Sequence, residues 1–437
     1  MATVYPTATG NYSTRTWNND ATGTAYGMAP QAGDTILLNN TTLTIDQDVT
    51  VTLIRNIAGT TAAAGGSMTM AGTRVITANL QAGAADLSTI SASANITING
   101  NLTGGTAANA DCLVCSTTGV TLTIVGNVNG GNGTTATGIL YSGGTGTVSI
   151  TGNVTGGTAA TASAIAHSAT SGSITITGTV TGGTINTAYG VTKTGATATL
   201  TVNGDMVGAT SAAVNCVSGV VILNGNLSTS SAITISVSGA TVTLTTTSPI
   251  IATTTAGCIS MSSGAIRVVS DVRGGTGSNF AAVNCTGGAI VIEGEVRSGG
   301  GINAYGISFT FNTCVRIVGN VLTGAGGHAV RNGSVTGASL VVVGDVTGGA
   351  SSGIHGIYCI STTLVQSTVV VYGTVTGGSH ASSNGLANDG GAKCWIFGDE
   401  VAGVGAAVTN IGSGSVTTVA VGGSSRPSHP MFSQVIG

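Results

Sequence analysis

The hydrophobic and polar positions of the chain follow one phrase, apolar-x-apolar-x-Gly-polar-apolar, that returns about every 25 residues. Strict alternation of apolar and polar residues before the glycine is typical of a β-strand with one buried face. The phrase therefore predicts a strand, a bend and a second short strand in each repeat. The glycine, or the residue that replaces it, stands at Gly100, Gly126, Gly152, Gly178, Gly204, Gly225, Ser248, Ser270, Gly294, Gly319, Gly344, Gly373 and Gly398.

A second column of aliphatic residues accompanies this glycine marker and predicts another short strand in each repeat. Its members are Leu113, Ile139, Ile165, Val191, Val214, Ile259, Val283, Ile307, Val330, Ile357 and Leu386. Short strands without any helical period predict an all-β fold. We expect a parallel β-helix (β-solenoid) of one chain, with coils of about 25 residues and the right-handed crossovers usual for parallel strands. The predicted object is a rod.

Both ends of such a stack expose strand edges, which aggregate unless they are covered. We therefore expect three segments. Residues 1–43 form an N-terminal cap or docking segment, residues 44–421 form the solenoid, and residues 422–437 form an extended C-terminal tail that contains Pro427 and Pro430.

The composition argues against several partners. The 437 residues include 11 Lys and Arg and 14 Asp and Glu, for a net charge of -3. That balance provides no basic surface for nucleic acid, and no long apolar run suggests a membrane span. The opening residues Met1–Pro6 lack the basic start and apolar stretch of a secretory signal, so we expect a chain that is not exported by the Sec pathway.

The outward-facing positions of the main strands change character along the chain. Positions three and one before the marker glycine point away from the core. In the N-terminal half they form a mostly hydroxyl-bearing stripe, made of Thr97/Asn99, Thr123/Val125, Ser149/Thr151, Thr175/Thr177 and Thr201/Asn203. In the C-terminal half they become Val291/Glu293, Arg316/Val318, Val341/Val343 and Val370/Tyr372.

Stacked aliphatic side chains on an outward face are unfavourable in water, so the C-terminal half predicts an interface with another chain. The alternative is that loops of the same chain cover this face. The hydroxyl stripe resembles the ice-binding face of some antifreeze proteins. However, Val125 interrupts it, and threonine is a common solvent-facing strand residue, so we favour a plain solvated face.

One group of charged residues is a candidate for a catalytic carboxylate cluster: Asp271, Glu293 and Glu295. Alternation along the strand places Glu293 and Glu295 on one face, and Asp271 occupies the repeat position of Glu295 one coil earlier. Four arginines fall in adjacent columns of the same face, and their charges would keep the carboxylates ionised rather than prepare one as a general acid. We favour a salt-bridged ladder or interface over catalysis. The arginines are Arg267, Arg273, Arg297 and Arg316.

No metal or cofactor site is predicted. Cys112 and Cys115 form the only close cysteine pair, and no second pair follows at zinc-site spacing. Cysteines recur instead in one repeat column, which predicts small buried free thiols and a reducing compartment. His167 belongs to this column and is a core residue before it is a ligand. The column holds Cys115, Tyr141, His167, Lys193, Cys216, Met261, Cys285, Phe309, Asn332, Cys359 and Asn388.

Three N-terminal runs precede the Gly-, Thr- and Ser-rich repeats. They are Trp17-Asn18-Asn19-Asp20, residues 30–36 (PQAGDTI) and residues 44–51 (TIDQDVTV). In this arrangement the chain resembles β-helical virion proteins of tailed bacteriophages. The resemblance spans most of the chain and implies a structural role on the particle, as a head decoration, a fibre or a part of the tail.

The sequence therefore predicts a non-enzymatic virion component, assembled in the host cytoplasm, that forms a homo-oligomer, with a trimer favoured, or docks on other virion proteins. The alternative is a tailspike or tail fibre that binds or cleaves host surface polysaccharide. An adhesin or surface-layer protein of a bacterium is a third possibility, which the absent export signal disfavours.

Overall fold

The fold is taken from a computed structural model of the chain. It describes residues 2–19, 24–39, 41–57, 67–81, 88–91, 94–104, 111–130, 139–156, 165–181, 191–208, 214–229, 235–252, 256–333, 337–360, 367–410 and 414–419. These residues form strands, bends and turns, and the described part contains no helix. Accordingly, no described helix is long and apolar enough to cross a membrane.

The chain divides into two compact units. The first comprises Met1–Ser270 with Phe280–Gly288, and the second comprises Asp271–Asn279 with Ala289–Gly437. Within each unit every coil pairs in parallel with the next one, so the predicted all-β solenoid with coils of about 25 residues is confirmed. The handedness of the coil stays a prediction.

Each coil contributes up to three strands, which we name the first, second and third strand in chain order. In one coil these are Ile139–Tyr141, Thr147–Thr151 and Val154–Thr155. Strands of the same kind stack on each other through residues one coil apart. Ile139 pairs with Ile165, and Val148 pairs with Ile174. Three parallel ladders therefore run through each unit.

The strands of the first unit begin with an N-terminal group whose coils are less regular. This group is Thr3–Pro6, Gly10–Asn11, Trp17–Asn18, Thr35–Asn39, Thr42–Ile45, Val49–Ile57, Ser67–Met70, Arg74–Gln81 and Ser88–Ser91. The first strands that follow are Asp111–Cys115, Ile139–Tyr141, Ile165–His167, Val191–Lys193, Val214–Cys216 and Ala281–Cys285. The second strands are Ile96–Asn99, Thr121–Val125, Thr147–Thr151, Ser173–Thr177, Thr199–Asn203 and Val220–Asn224. First and second strands merge in Ile235–Thr245 and Ile259–Val269. The third strands are Leu102–Thr103, Val128–Asn129, Val154–Thr155, Val180–Thr181, Met206–Gly208, Leu227–Thr229 and Ile250–Ile251.

The second unit repeats the same three kinds of strand. Its first strands are Tyr305–Phe309, Val330–Asn332, Ile357–Cys359, Leu386–Asn388 and Val408–Asn410. Its second strands are Thr313–Val318, Ser339–Val343, Thr368–Tyr372, Lys393–Phe397 and Ser415–Val419, preceded by Gly288–Glu293 at the boundary between the units. Its third strands are Val272–Arg273, Val296–Arg297, Val321–Leu322, Val346–Thr347, Val375–Thr376 and Glu400–Val401.

The core of each unit is a stack of aliphatic side chains from all three ladders. Ile139, Val148 and Val154 of one coil are at most 1% exposed. The predicted aliphatic column is in register within each unit. In the first unit Val214 is continued by Ile235 and Ile259, and in the second unit Ile307 is continued by Val330 and Ile357. Burial of such side chains contributes about 25 cal/mol per Å² of apolar surface, which makes the narrow interior the main source of stability.

The marker glycines form a stack of their own at the corner between second and third strands. Gly126 and Gly152 have φ angles of 155° and 148°. A Cβ added to Gly152 would overlap the carbonyl oxygen of Gly126 one coil earlier, and the same overlap recurs from Gly126 to Gly100. Glycine is therefore required here for both backbone conformation and close approach of successive coils.

At many corners an Asn or Asp follows the marker position and links neighbouring coils by a hydrogen bond. The side-chain oxygen of Asn101 accepts the backbone N–H of Asn127 at 2.8 Å, and that of Asn127 accepts the backbone N–H of Asn153 at 2.9 Å. Asp205 accepts the backbone N–H of Asn226 in the same way, at 2.9 Å. This Asn/Asp ladder satisfies backbone donors that the bend leaves outside the strands.

Coil length varies although the register is kept. Successive members of the Asn/Asp ladder are 26 residues apart from Asn101 to Asn127, 21 apart from Asp205 to Asn226 and 29 apart from Asp345 to Thr374. The marker predicted at Ser248 is two residues late. Asn224 pairs with Thr245, so the next residue, Thr246, is the counterpart of Gly225 and occupies the marker position.

The segment predicted as an N-terminal cap joins the parallel stack. Thr3–Pro6 pairs in parallel with Thr35–Asn39 and antiparallel with Trp17–Asn18. Asp34 fixes this segment, since its carboxylate accepts the backbone N–H groups of Gln31 and Ala2 and the hydroxyl of Tyr26. The Gln31 bond, ahead of the others, lowers the pKa of Asp34 below its ordinary value. The predicted tail, residues 422–437, lies outside the described residues.

Candidate functional site

The second strands of the second unit carry apolar side chains on their outward face. Val341 pairs with Val370, and Val343 pairs with Tyr372. One coil later Val370 pairs with Trp395, and Tyr372 pairs with Phe397. We call these six residues (Val341, Val343, Val370, Tyr372, Trp395 and Phe397) the apolar face. Alternation along each strand produces this face, because Leu340, Val342, Val369 and Val371 point inward and are fully buried.

All six side chains of the apolar face are half-buried within the chain. They shield one another along the ladder, and the rings of Tyr372 and Phe397 stack at a centroid distance of 5.0 Å with 14° between planes. Trp395 and Phe397 were not among the predicted interface residues. They stand three and one before Gly398, so the marker rule would have found them had it been carried one coil further.

The remaining predicted interface residues of the second unit lie nearby in the repeat. Val291 and Glu293 are half-buried outward positions of Gly288–Glu293. Arg316 is a half-buried outward residue of Thr313–Val318 and pairs with Val341 at the edge of the apolar face. Arg267 belongs to the first unit, where it is exposed on Ile259–Val269 and pairs with Thr243.

The three residues of the predicted carboxylate cluster occupy two different positions of the coil. Glu293 ends a second strand, whereas Glu295 lies beyond the bend at Gly294, so the prediction that they share one face of a strand is wrong. Asp271 does occupy the position of Glu295 one coil earlier. Its carboxylate accepts the backbone N–H of Glu295 at 2.8 Å, which makes Asp271 a member of the Asn/Asp ladder.

The arginines beside these carboxylates also fall into separate places. Arg273 and Arg297 pair with each other on third strands, whereas Arg267 and Arg316 lie on second strands, so the four do not share one face as predicted. Arg297 Nε donates to Glu295 Oε1 at 3.0 Å, and Arg273 lies 3.8 Å from Asp271. Both pairs are partly exposed, where an ion pair contributes at most about 1 kcal/mol. The arrangement is that of a charged ladder.

The polar column of the first unit is sealed inside the core. Tyr141, His167, Lys193 and Cys216 follow one another in register and are each at most 1% exposed. Lys193 Nζ donates to the carbonyl oxygens of Gly195 and Ser218, both at 2.8 Å. These two bonds satisfy part of the donor capacity of an amine that has no contact with water.

Burial governs the chemistry of this column. It lowers the pKa of Lys193, and burial followed by the charge of Lys193 lowers the pKa of His167 to about 4. Neither ring nitrogen of His167 has a hydrogen-bond partner within the described residues. Burial also raises the pKa of Cys216 to about 12. The column thus combines nucleophilic residue types, but no substrate can reach them.

The cysteines lie apart from any metal site. Six of them, Cys216, Cys258, Cys285, Cys314, Cys359 and Cys394, are free thiols, and all but Cys314 are buried. The side chains of Cys112 and Cys115 are outside the described residues. Within the described ranges, no three His, Cys, Asp or Glu side chains gather in a way that could hold a metal ion.

A shallow groove of about 420 Å³ lies on the second unit beside its third strands. It is lined by residues 323–325, 347–350 and 377–379, which are Thr, Gly, Ala and Ser. These residues supply no group that titrates near neutral pH. The groove therefore offers no acid–base pair.

A cluster of histidine and aromatic side chains on the second unit was not predicted. Tyr305, His328 and His355 each stand two residues before the aliphatic column, at Ile307, Val330 and Ile357. Their rings form a stack, with centroids 5.9 Å and 5.2 Å apart and planes within 8°. The unequal coil lengths conceal any regular spacing of these three residues in the sequence. Counting back two residues from the aliphatic column would have aligned them.

Comparison with protein-family models, with curated proteins and with solved structures finds no match for this chain. The fold defines the chain as a parallel β-solenoid, and the surfaces described above are the features that bear on its function.

Proposed function

We propose that the chain is a non-enzymatic structural protein that associates with further copies of itself, as a homotrimer, through the apolar face of its second unit. The observation that carries the proposal is the outward ladder of Val341, Val343, Val370, Tyr372, Trp395 and Phe397. A face of this kind is stabilised when a partner removes it from water, by about 25 cal/mol per Å² of apolar surface.

A second copy is the partner that we favour, because an apolar ladder with few charges is complementary to another of the same kind. Closed rotational symmetry would bring the same face of each copy to a common axis and leave no apolar face uncovered. The setting that we propose is the virion of a tailed bacteriophage, which the resemblance of the N-terminal runs implies. Free buried thiols support assembly in a reducing cytoplasm.

The absence of catalysis is part of the same proposal. Asp271 and Glu295 are occupied by backbone and arginine partners, and the nucleophilic residue types of the first unit are sealed in its core. Incubation with host surface glycan, followed by an assay for new reducing ends, tests this part. Released fragments would replace the structural role by that of a polysaccharide-cleaving tailspike.

The experiment for self-association replaces Val341 and Val343 by Asp in the full chain. Because both side chains are half-buried rather than internal, we expect the fold to persist and the mass from light scattering after size exclusion to fall to that of one chain. The matched control replaces Thr123 and Ser149 by Asp on the hydroxyl stripe of the first unit, where the oligomer should survive. An unchanged mass of the valine variant, with an unchanged circular dichroism spectrum, would refute the interface. Electron microscopy of particles that carry the chain tests its place in a virion.

A further inference from the structure

Two buried imidazoles tie three successive coils of the second unit together. His328, His355 and Asn384 each stand two residues before the aliphatic column, where the chain passes from a third strand to the next first strand. The backbone N–H of His355 donates to Nδ1 of His328 at 2.9 Å, and the backbone N–H of Asn384 donates to Nδ1 of His355 at 3.0 Å. Each imidazole therefore accepts a hydrogen bond from the coil that follows it.

These two hydrogen bonds exist only while Nδ1 of each ring carries no proton. A backbone N–H can only donate, so the ring nitrogen that faces it must accept. A protonated imidazole carries an N–H group on both nitrogens and has no acceptor left. Protonation of His328 or His355 therefore breaks the bond between the coils and brings two N–H donors face to face.

The surroundings of the rings leave a protonated imidazole poorly solvated. His328 is 7% exposed and His355 is 9% exposed. The rings of Tyr305 and Tyr358 pack against His328 at centroid distances of 5.9 Å and 4.4 Å, and Tyr358 also lies 5.2 Å from His355. Burial is the main cause that raises the pKa of both tyrosines, so they are uncharged in neutral and acid solution. Water has little access to replace a lost acceptor, and a buried charge is unfavourable here.

The charged neighbours of the two rings act in opposite directions. Burial, ahead of the charges of His355 and Arg331, lowers the pKa of His328 to about 3. Burial also lowers the pKa of His355, although the charge of Asp389 acts the other way. Both rings are therefore neutral at pH 7 while the coils are closed, and the closed arrangement resists protonation.

We propose that His328 and His355 form a pH-sensitive clasp that holds the turns between third and first strands at neutral pH and is opened by protonation. The turns over residues 349–354 and 378–383 are each closed by a backbone hydrogen bond between their end residues, at 3.1 Å and 2.6 Å. Opening frees the backbone N–H groups of His355 and Asn384 and loosens these turns, while the ladders of second strands stay paired. No residue of the apolar face takes part, so the clasp does not depend on self-association.

The size of the effect follows from His328 alone. In the opened turn its pKa is the ordinary 6.5, whereas in the closed clasp it is about 3. The opened form takes up the proton first, so the closed form is favoured above pH 6.5 and loses ground as the pH falls towards 3. Between pH 7.5 and pH 5 the ratio of opened to closed clasp should rise about 30-fold.

The experiment measures hydrogen exchange of the full chain at pH 7.5 and pH 5 by mass spectrometry, with rates corrected for the pH dependence of the chemical step. In peptides that contain the backbone N–H groups of His355 and Asn384, we expect protection at these two positions to fall about 30-fold at pH 5. The internal control is the backbone N–H of Asp345, which donates to the side-chain oxygen of Asn320 at 3.0 Å. That acceptor does not titrate, so its protection should stay the same.

The matched variant carries His328→Asn and His355→Asn, since Oδ1 of asparagine can take the place of Nδ1 and accepts an N–H without titrating. Its protection at the two positions should change less than 3-fold between the two pH values. His380→Asn removes an exposed histidine of the same turn and should keep the full loss in acid.

Three results would overturn the clasp. The first is equal protection of the unchanged chain at both pH values. The second is an equal loss at Asp345, which would show that the whole unit opens. The third is the same loss in acid for the double asparagine variant, or its disappearance in His380→Asn. If the double variant is unprotected already at pH 7.5, the unchanged chain and His380→Asn still decide between these outcomes.

Discussion

The sealed imidazole of His167 predicts a loss of stability in acid. The ordinary pKa of 6.5 applies in the unfolded chain, whereas the pKa in the fold is about 4. Between these values the unfolded chain takes up a proton that the folded chain does not. Stability is therefore fully present above pH 6.5 and is lost progressively as the pH falls to about 4.

The magnitude follows from the two pKa values. One pH unit corresponds to about 1.36 kcal/mol, so the interval from 6.5 to about 4 corresponds to roughly 3 kcal/mol of unfolding free energy. His167 is 1% exposed, so solvent screening takes little from this figure. A loss of that size is a large part of the 5–15 kcal/mol typical of a domain.

The assay compares urea unfolding of the unchanged chain and of His167→Leu at pH 7 and pH 4. The variant keeps His328 and His355, so their contributions cancel in the comparison. We expect the unchanged chain to lose about 3 kcal/mol more than the variant. Equal losses in the two proteins would show that His167 is charged or hydrated in the fold, and the reasoning from its burial would fail.

Three further predictions concern the corner and the thiols. Gly152→Ala should destabilise the first unit by about 3 kcal/mol in urea unfolding, because its Cβ overlaps the carbonyl of Gly126; a change below 0.5 kcal/mol would refute the close approach. Asn127→Ala should cost about 1 kcal/mol in the same assay through the lost bond to the backbone N–H of Asn153, and Asn127→Asp, which keeps the acceptor, serves as the control. Among the described cysteines, Cys314 should react first with a thiol reagent at pH 8, since the others are buried; mass mapping that finds a different described cysteine labelled first would contradict the burial.

The periodic parts of the fold were predictable because each kind of position, corner or core, is filled by the same type of residue in most coils. Glycine stands at most corners where successive coils touch through backbone, as at Gly126, and an inward aliphatic residue recurs where the core continues, as at Ile139. The hydroxyl stripe also lies in register as predicted, with Thr97, Thr123 and Ser149 on successive coils. Its role as a plain solvated face stays a prediction.

The clusters were harder to predict, because they depend on coils of unequal length. His328 and His355 are 27 residues apart, and His355 and Asn384 are 29 apart, so no fixed period brings them together. The prediction that Glu293 and Glu295 share one face of a strand is wrong for another reason. Alternation holds only within a strand, and the chain bends at Gly294, so Glu295 lies beyond the strand that ends at Glu293.

The glycine corner has a consequence for how such a chain can change in length. Between the end of a second strand and the start of a third there are usually two residues, as Gly126 and Asn127 separate Val125 from Val128. The corner between Thr245 and Ile250, which lacks the marker glycine, has four. Coils of 21 and 29 residues keep this corner intact, so added residues are accommodated at the other two corners. Foreign peptides grafted at those two corners would be displayed on the surface without shifting a single ladder, whereas one extra residue at the glycine corner would turn every following side chain of its coil inside out.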